Sequence, residues 1–363
     1  MPPIGLLVPS GLDLAGWAGA LFAGIVFMGL GRLLTLGRAT PEAAMIAGWG
    51  GAVVVLTLWG VATPSSLRGP AIALAAIGIL AQAMPGIRLG RTEWRAIARI
   101  VVLALPLVAV MASARPSLPD TWLNLLPNAA YLYDHGFFPA DARPAAHSFI
   151  AGAPYNMQLA AFVASLVTAD FPPSAMIDLN LLLQLAAALF MARLAAGSES
   201  EAPSWSMAAL GILLTTALNP GFVPRYHLSS YSEPSVTVTV AFAAWFAARA
   251  LDRIGSGRDA RLDWWLLALT LAALVNIKQE SVVLVVGVLV AAAGLAAAAR
   301  AEKAPALLAL VLAAAPAALI YFAWRWYVLA HFELGELKNL PVAEWHVAEI
   351  PLILWNMARQ AGS

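Results

Sequence analysis

The sequence predicts an all-α, polytopic membrane protein of about ten transmembrane helices, supplemented by amphipathic helices lying on the outer membrane surface. Two observations carry that prediction. Only 11% of the 363 residues are charged and 61% are hydrophobic, where soluble domains carry about 25% charged residues. Apolar stretches of about 20 residues, the length that crosses a hydrocarbon core, recur along the chain. Composition also removes several classes of function. Eighteen Arg and 3 Lys against 20 acidic residues leave a net charge of +1, too little for a nucleic-acid-binding field. With no cysteine, disulfides, thiolate metal ligands and thiol nucleophiles are excluded together. Residues 1–13 lack a basic n-region, so no cleaved signal peptide is expected.

The expected spans are 12–31, 42–62, 70–86, 97–114, 173–195, 204–219, 234–251, 262–276, 280–299 and 305–329. They divide one membrane domain into four N-terminal spans (1–114), an outer loop (115–172), six further spans with outer polar connections (173–330) and an outer C-terminal segment (331–363). The apolar stretch 157–169 has 13 residues, a length suited to an interfacial or re-entrant segment. Charge fixes orientation. The cluster Arg88, Arg91, Arg95 and Arg99 marks its connection as cytoplasmic. If 157–169 does not cross, 13 cations fall inside and 8 outside; if it crosses, the split becomes 6 and 15. The non-crossing topology is therefore expected, and it places all five histidines on the outer side. The inner connections, such as 197–204 and 252–263, are short and read as solvated turns.

Residues 119–138 run Pro-Asp-Thr-Trp and then LNLLPNAAYLYDHGFF. At 100° per residue from Asp120, Asn124, Asn128, Tyr131, Asp134 and His135 share one side, while Trp122, Leu123, Leu125, Leu126, Ala129, Leu132 and Tyr133 take the other. This predicts an amphipathic helix lying on the membrane surface and closed by Gly136, its polar stripe turned toward whatever sits above it. Asp120 has two readings, an N-cap of that helix or a catalytic acid. Asp134 and His135, close to the helix end, read also as solvated residues. His147, Tyr155, Asn156 and Gln158 introduce the short apolar segment and would set polar groups at the membrane lip.

The next outer connection, 219–234, is dense in Arg225, Tyr226, His227, Tyr231 and Glu233 ahead of Pro234, a residue suited to a first helical turn. An outer Arg225 beside Tyr and His suits a phosphate or carboxylate clamp, whereas Glu233 also reads as a plain helix-terminal acid. Between two strongly apolar spans stands Val275-Asn276-Ile277-Lys278-Gln279-Glu280-Ser281. Charges at that depth default to function, the bland alternative being that Lys278 and Glu280 neutralise each other. From Trp324 to Trp345 and His346 the chain reads as an interfacial aromatic belt.

The opening Pro-Asp-Thr-Trp, the Asn/Tyr-rich amphipathic helix, the short non-crossing helix and the Asn-Ile-Lys-Gln-Glu-Ser turn together resemble the GT-C glycosyltransferases of bacterial membranes. The resemblance covers chiefly residues 115–300. It departs from the family in placing four spans before the key loop and in lacking a soluble outer domain by residue 363. It implies transfer of a sugar from a polyprenyl-phosphate carrier to an envelope glycan, lipid or protein acceptor on the extracytoplasmic face of the inner membrane. By the same resemblance Asp120 is the base. Arg225 and Lys278 would take the phosphate, and Glu280, Asn124, Asn128, Tyr131, His147, Tyr155, Asn156, His227 and Glu233 would line the substrate site. No cofactor is required, although Asp120 with Asp134 or Glu233 could hold a divalent metal. The rival class is a transporter or flippase for a lipid-linked or small polar substrate, which usually gathers its polar groups at the bilayer midplane.

Overall fold

The computed structural model describes residues 8–198, 201–219, 222–298, 303–332 and 347–361, and among them it contains helices and no strand. The elements are α1 (Gly11–Leu34), α2 (Pro41–Ala62), α3 (Arg68–Ala83), α4 (Arg91–Met111), a π-helical turn (Thr121–Leu125) running into α5 (Leu126–His135), and α6 (Asn156–Ala164). They continue as α7 (Ala175–Ala196), α8 (Trp205–Thr215), α9 (Pro224–His227), α10 (Glu233–Gly255), α11 (Arg261–Val275), α12 (Ser281–Ala298), α13 (Lys303–His331) and α14 (Ile350–Ala361). Local chemistry sets several boundaries. Ser10 and Asp13 form a reciprocal capping box at the start of α1. Pro41 opens α2, where a missing N–H costs nothing.

Among the described residues seven helices are long and apolar enough to cross a membrane: α1, α2, α4, α7, α10, α12 and α13. This is a multi-pass membrane protein by length and composition. The other three expected spans are helices too, but α3 has 16 residues, α8 has 11 and α11 has 15, below the usual 20. α7 is the most enclosed of the seven, and α4, α12 and α13 form the rim. Their outward faces carry Val110, Val283, Val290, Val311 and Phe322, each more than 60% exposed, which is the surface hydrocarbon requires and water penalises. α1 and α2 meet backbone to backbone: a methyl group at Gly48 would run into the Phe27 carbonyl, the close approach that small residues give helix pairs in membranes.

Hydrogen bonds sort the connections into two ends. At one end Arg32, at the foot of α1, donates to the carbonyls of Ile87 and Ala39 and pairs with Glu93 at 2.6 Å. Arg99 reaches the Ala202 and Pro203 carbonyls, and Trp265 donates to Leu34. At the other end Leu67 N–H donates to Gly136 O, Asn276 to the Thr57 hydroxyl, and Trp324 to Gly152 O. Both flanks of α6 belong to this second end. The Asn156 amide donates to Ala273 O (2.8 Å), and the Tyr133 hydroxyl donates to Ala169 O (2.7 Å). The segment 156–169 therefore returns to the end from which it started.

Two expectations are corrected here. The short apolar segment is not a membrane-surface helix: every residue of α6 is buried, packed against α1, α2, α5 and α7. Its composition is the same whether it meets lipid or protein, so sequence did not separate the two. The aromatic belt splits, with Trp326 exposed but Trp324 and Tyr327 buried, and Tyr327 donates to Pro139 O at 3.0 Å. The segment 333–346, with His346, lies outside the described residues. The inner connections are exposed turns as expected, Gly255 to Asp259 above all, and the helices beside them carry ion pairs: Arg193 with Glu42 at 3.0 Å, and Asp263 with both Arg249 and Arg253.

Candidate functional site

At the end that holds α6, a cavity of about 360 Å³ is walled by four separate stretches of chain. Asp120, Asn124 and Asn128 come from the π-turn and α5, and Pro154, Met157 and Gln158 from the entry to α6. Tyr231, Ser232 and Glu233 lead into α10, and Ile277 to Glu280 join α11 to α12. Six of the sequence-predicted residues meet here: Asp120, Asn124, Asn128, Glu233, Lys278 and Glu280.

The first wall is shaped by Pro127. Proline has no N–H to give the Leu123 carbonyl and its ring crowds that oxygen. The preceding turn widens instead, with Leu126 N–H bonding Thr121 O, a π-turn of the kind found at functional sites. The freed Leu123 carbonyl accepts from Phe149 N–H at 3.2 Å. One turn on, the Asn128 amide donates to Ile150 O at 3.1 Å. These two bonds tie the segment ahead of α6 onto the π-turn. At the far end Gly136 adopts φ 72° and stops α5, as a C-terminal glycine should.

Asp120 makes no capping hydrogen bond to the turn that follows it. The N-cap reading therefore falls, and its carboxylate is exposed at the cavity mouth. The direction of the polar stripe is also corrected. Asn124, Asn128 and Tyr131 are buried while Asp120, Asp134 and His135 are exposed, and on the apolar side Leu126, Ala129 and Leu132 are buried while Trp122 and Leu123 are exposed, so the middle of the stripe packs into the protein and its two ends reach the surface. A helical wheel says which residues share a face, not what that face meets.

The second wall is pinned from two directions. The Asn180 amide, inside α7, donates to the carbonyls of Ser229 (2.8 Å) and Tyr231 (2.6 Å). The hydroxyls of Ser230 and Thr121 share a hydrogen bond of 2.7 Å, which locks this loop to the π-turn. Tyr231 is thereby set against Asp120. Burial raises its phenol above the ordinary value; a backbone hydrogen bond with Asp120 opposes that, and the Asp120 charge adds to it. Sequence reasoning quoted Tyr231 without assigning it a role. The only signal was its place two residues before Glu233 in a Pro-closed polar loop.

On the third wall the Lys278 ammonium lies 2.5 Å from a Glu233 carboxylate oxygen, both side chains about 40% exposed. Asn276 holds this turn by its bond to Thr57 (3.0 Å), and its carbonyl accepts from Asn156 N–H (3.2 Å). The acceptor side of the cavity is unsatisfied. Asn124 Oδ1, Asn128 Oδ1 and Glu233 Oε2 are buried atoms with no hydrogen-bond donor among the described residues. Buried acceptors without donors are costly, so a ligand that brings hydroxyl or N–H groups fits this wall.

Other predicted residues lie apart. Tyr155 is fully buried among Phe138 and Trp324, its hydroxyl given to Ala151 O, and burial holds its phenol well above the ordinary value. Asn156 supports α11 rather than lining the cavity. The Tyr131 ring packs on His135 and Phe137, and burial pushes its phenol up to about 12 against the pull of Arg143. His147 is exposed on a loop at φ 46°. Asp134 lines a different cleft beside Arg68, so of the two partners considered for a metal beside Asp120, Glu233 alone shares its cavity. Among the described residues no group of three or more His, Asp or Glu side chains gathers around one point. Arg225 and His227 lie on α9, and their side chains are outside the described residues.

No protein-family model, no curated protein and no solved structure matches this chain.

Proposed function

We propose that this protein is a GT-C-like glycosyltransferase of a bacterial cytoplasmic membrane. On this reading ten helices cross, the three short ones included, and the Asp120 end faces the periplasm or exterior. It moves a sugar from a polyprenyl-phosphate donor to a glycan, lipid or protein acceptor. The observation that carries the reading is the meeting, in one cavity, of an exposed carboxylate, a row of donor-hungry amide oxygens and a lysine. A sugar is rich in hydroxyl donors, and the Asn124 and Asn128 oxygens suit it. A phosphate suits Lys278.

The chemistry follows from those places. Asp120 accepts the proton of the acceptor hydroxyl as its oxygen bonds to the anomeric carbon. The bond from that carbon to the phosphate oxygen breaks, and the electron pair leaves with the lipid phosphate. Lys278 stabilises the charge that develops there, once the donor has displaced Glu233 from it. General-base help of this kind contributes roughly 10² to 10⁴ in rate. Tyr231, protonated, orients the Asp120 carboxylate.

The test uses the purified protein in nanodiscs with a radiolabelled polyprenyl-phosphate sugar and a membrane-lipid extract as acceptor. Label appearing in a new covalent product, with release of polyprenyl phosphate, is the expected result. Uptake of intact substrate into sealed vesicles without any covalent product would replace the enzyme by a transporter.

A further inference from the structure

α1 and α4 both pack on α7, yet they make little contact with each other. Their feet are tied by the Arg32–Glu93 ion pair at 2.6 Å. Between them runs a groove of about 280 Å³, floored by Leu185, Ala186 and Leu189 of α7 and bounded at the foot by the start of α2. Leu21 and Ile25 of α1 and Trp94 and Val101 of α4 form its edges, each more than 40% exposed. The groove therefore opens along the outside of the bundle. Gly24 gives it depth, since a methyl group at that position would come within 3.2 Å of the Leu182 side chain. Among its lining residues Glu42 alone is charged, and Arg193 already pairs with it.

A lining of this kind gains by meeting hydrocarbon and gives a polar ligand nothing to bond. Its length fits one leaflet. On α4 the groove runs from Trp94 to Val101, and Arg91 stands one turn beyond Trp94. At 1.5 Å per residue, Arg91 to Val101 covers about 15 Å, half of a hydrocarbon core about 30 Å thick. The apolar part then lies at the depth of the acyl chains, and the exposed Trp94 lies where an indole favours the interface.

The foot of the groove carries the charge. Arg88, Arg91 and Arg95 are exposed, and none of them pairs with a carboxylate among the described residues. Glu93, the acid of that stretch, is taken by Arg32. Free guanidiniums at the interfacial end of a chain-sized groove complement an anionic headgroup, and their forks match phosphate oxygens in pairs.

We infer that this groove holds a chain of one anionic phospholipid from the leaflet at the Arg32 end, with its phosphate set against Arg91 and Arg95. The site lies at the end of the bundle opposite Asp120, and its test does not involve sugar transfer.

The experiment measures which lipid the intact protein retains when it is released from nanodiscs into a native mass spectrometer. The nanodiscs are of phosphatidylcholine with a minor fraction of phosphatidylglycerol carrying the same acyl chains. Wild type is expected to retain one phosphatidylglycerol in excess of its share of the bilayer. Replacing both Arg91→Gln and Arg95→Gln should reduce that preference by about tenfold or more with an unchanged melting temperature, since neither side chain has a carboxylate partner to lose. Gly24→Leu fills the groove from its wall and should abolish retention. Retention of the two lipids in proportion to the bilayer overturns the inference, as does an undiminished preference in the double arginine variant or in a folded Gly24→Leu protein. Displacement of the phosphatidylglycerol by an equal mole fraction of polyprenyl phosphate would assign the groove to that carrier and overturn it too.

Discussion

Lys278 and Glu233 stand 2.5 Å apart although 45 residues separate them in the chain. The partner of this lysine is therefore not its neighbour Glu280, and the pair joins two of the stretches that line the cavity. A pair this exposed contributes about 0–1 kcal/mol to stability. Its meaning lies in binding: Lys278→Met should weaken affinity for a polyprenyl-phosphate sugar with little change in melting temperature. Glu233→Gln should strengthen it several-fold, by releasing the lysine. Titration of both variants in nanodiscs checks the pair of signs, and identical affinities would remove Lys278 from the phosphate role.

Asp120 offers a cleaner separation of roles than sequence could. Because its side chain caps nothing, both Asp120→Asn and Asp120→Ala should melt close to wild type. Each should lose transfer by about 10² or more. A turnover assay run beside melting curves decides; an Asn variant with full turnover would move the base elsewhere, with Glu233 and Glu280 the other carboxylates of the cavity.

Asp263 should behave in the opposite manner. It is fully buried between Arg249 and Arg253, and removing one member of a buried pair typically costs about 3–5 kcal/mol. Asp263→Ala should lower the melting temperature sharply, while the fraction that remains folded keeps its donor affinity.

High pH should destabilise the protein through its buried phenols. Tyr131 is pushed up to about 12, and its unfolded value is the ordinary 10. The stabilisation from keeping it neutral is complete below pH 10 and is lost as pH rises toward 12, because the unfolded chain releases its proton first. Tyr131→Phe should flatten the fall of melting temperature between those two pH values. An unaltered slope would assign the fall to other groups.

Sidedness is open to labelling. Asp141 and Ser256 are both exposed, in connections that belong to opposite ends. Asp141→Cys should react with an impermeant maleimide in intact cells and Ser256→Cys should not. Equal reaction would overturn the non-crossing course of residues 156–169.

Much of the helix inventory was legible because hydrocarbon demands it: every long apolar run became a helix. Helix length was less legible, since α8 stops at Thr215, whose carbonyl is taken by Gln184 of α7. The candidate site was legible as a set of residue types and not as a shape. Asn124 and Asn128 fell on one face by period alone, but the burial of that face depends on α6, whose apolar residues look the same in lipid and in protein. The partnership of Lys278 with Glu233 depends on how α10 and α11 pack, and no local pattern encodes it.

The π-turn at 121–125 holds one residue more than an α-helical path would need, and that surplus sets an angular register. Pro127 would still deny an N–H to the carbonyl four residues before it after a single-residue deletion there, so the shortened turn would have no unstrained way to close. Its ties to the segment ahead of α6, from Phe149 to Leu123 and from Asn128 to Ile150, would be pulled out of place even though no residue of the cavity had been replaced. Length variation at this point should therefore be poorly tolerated, whereas the exposed residues 144–145 hold no such tie and should absorb insertions.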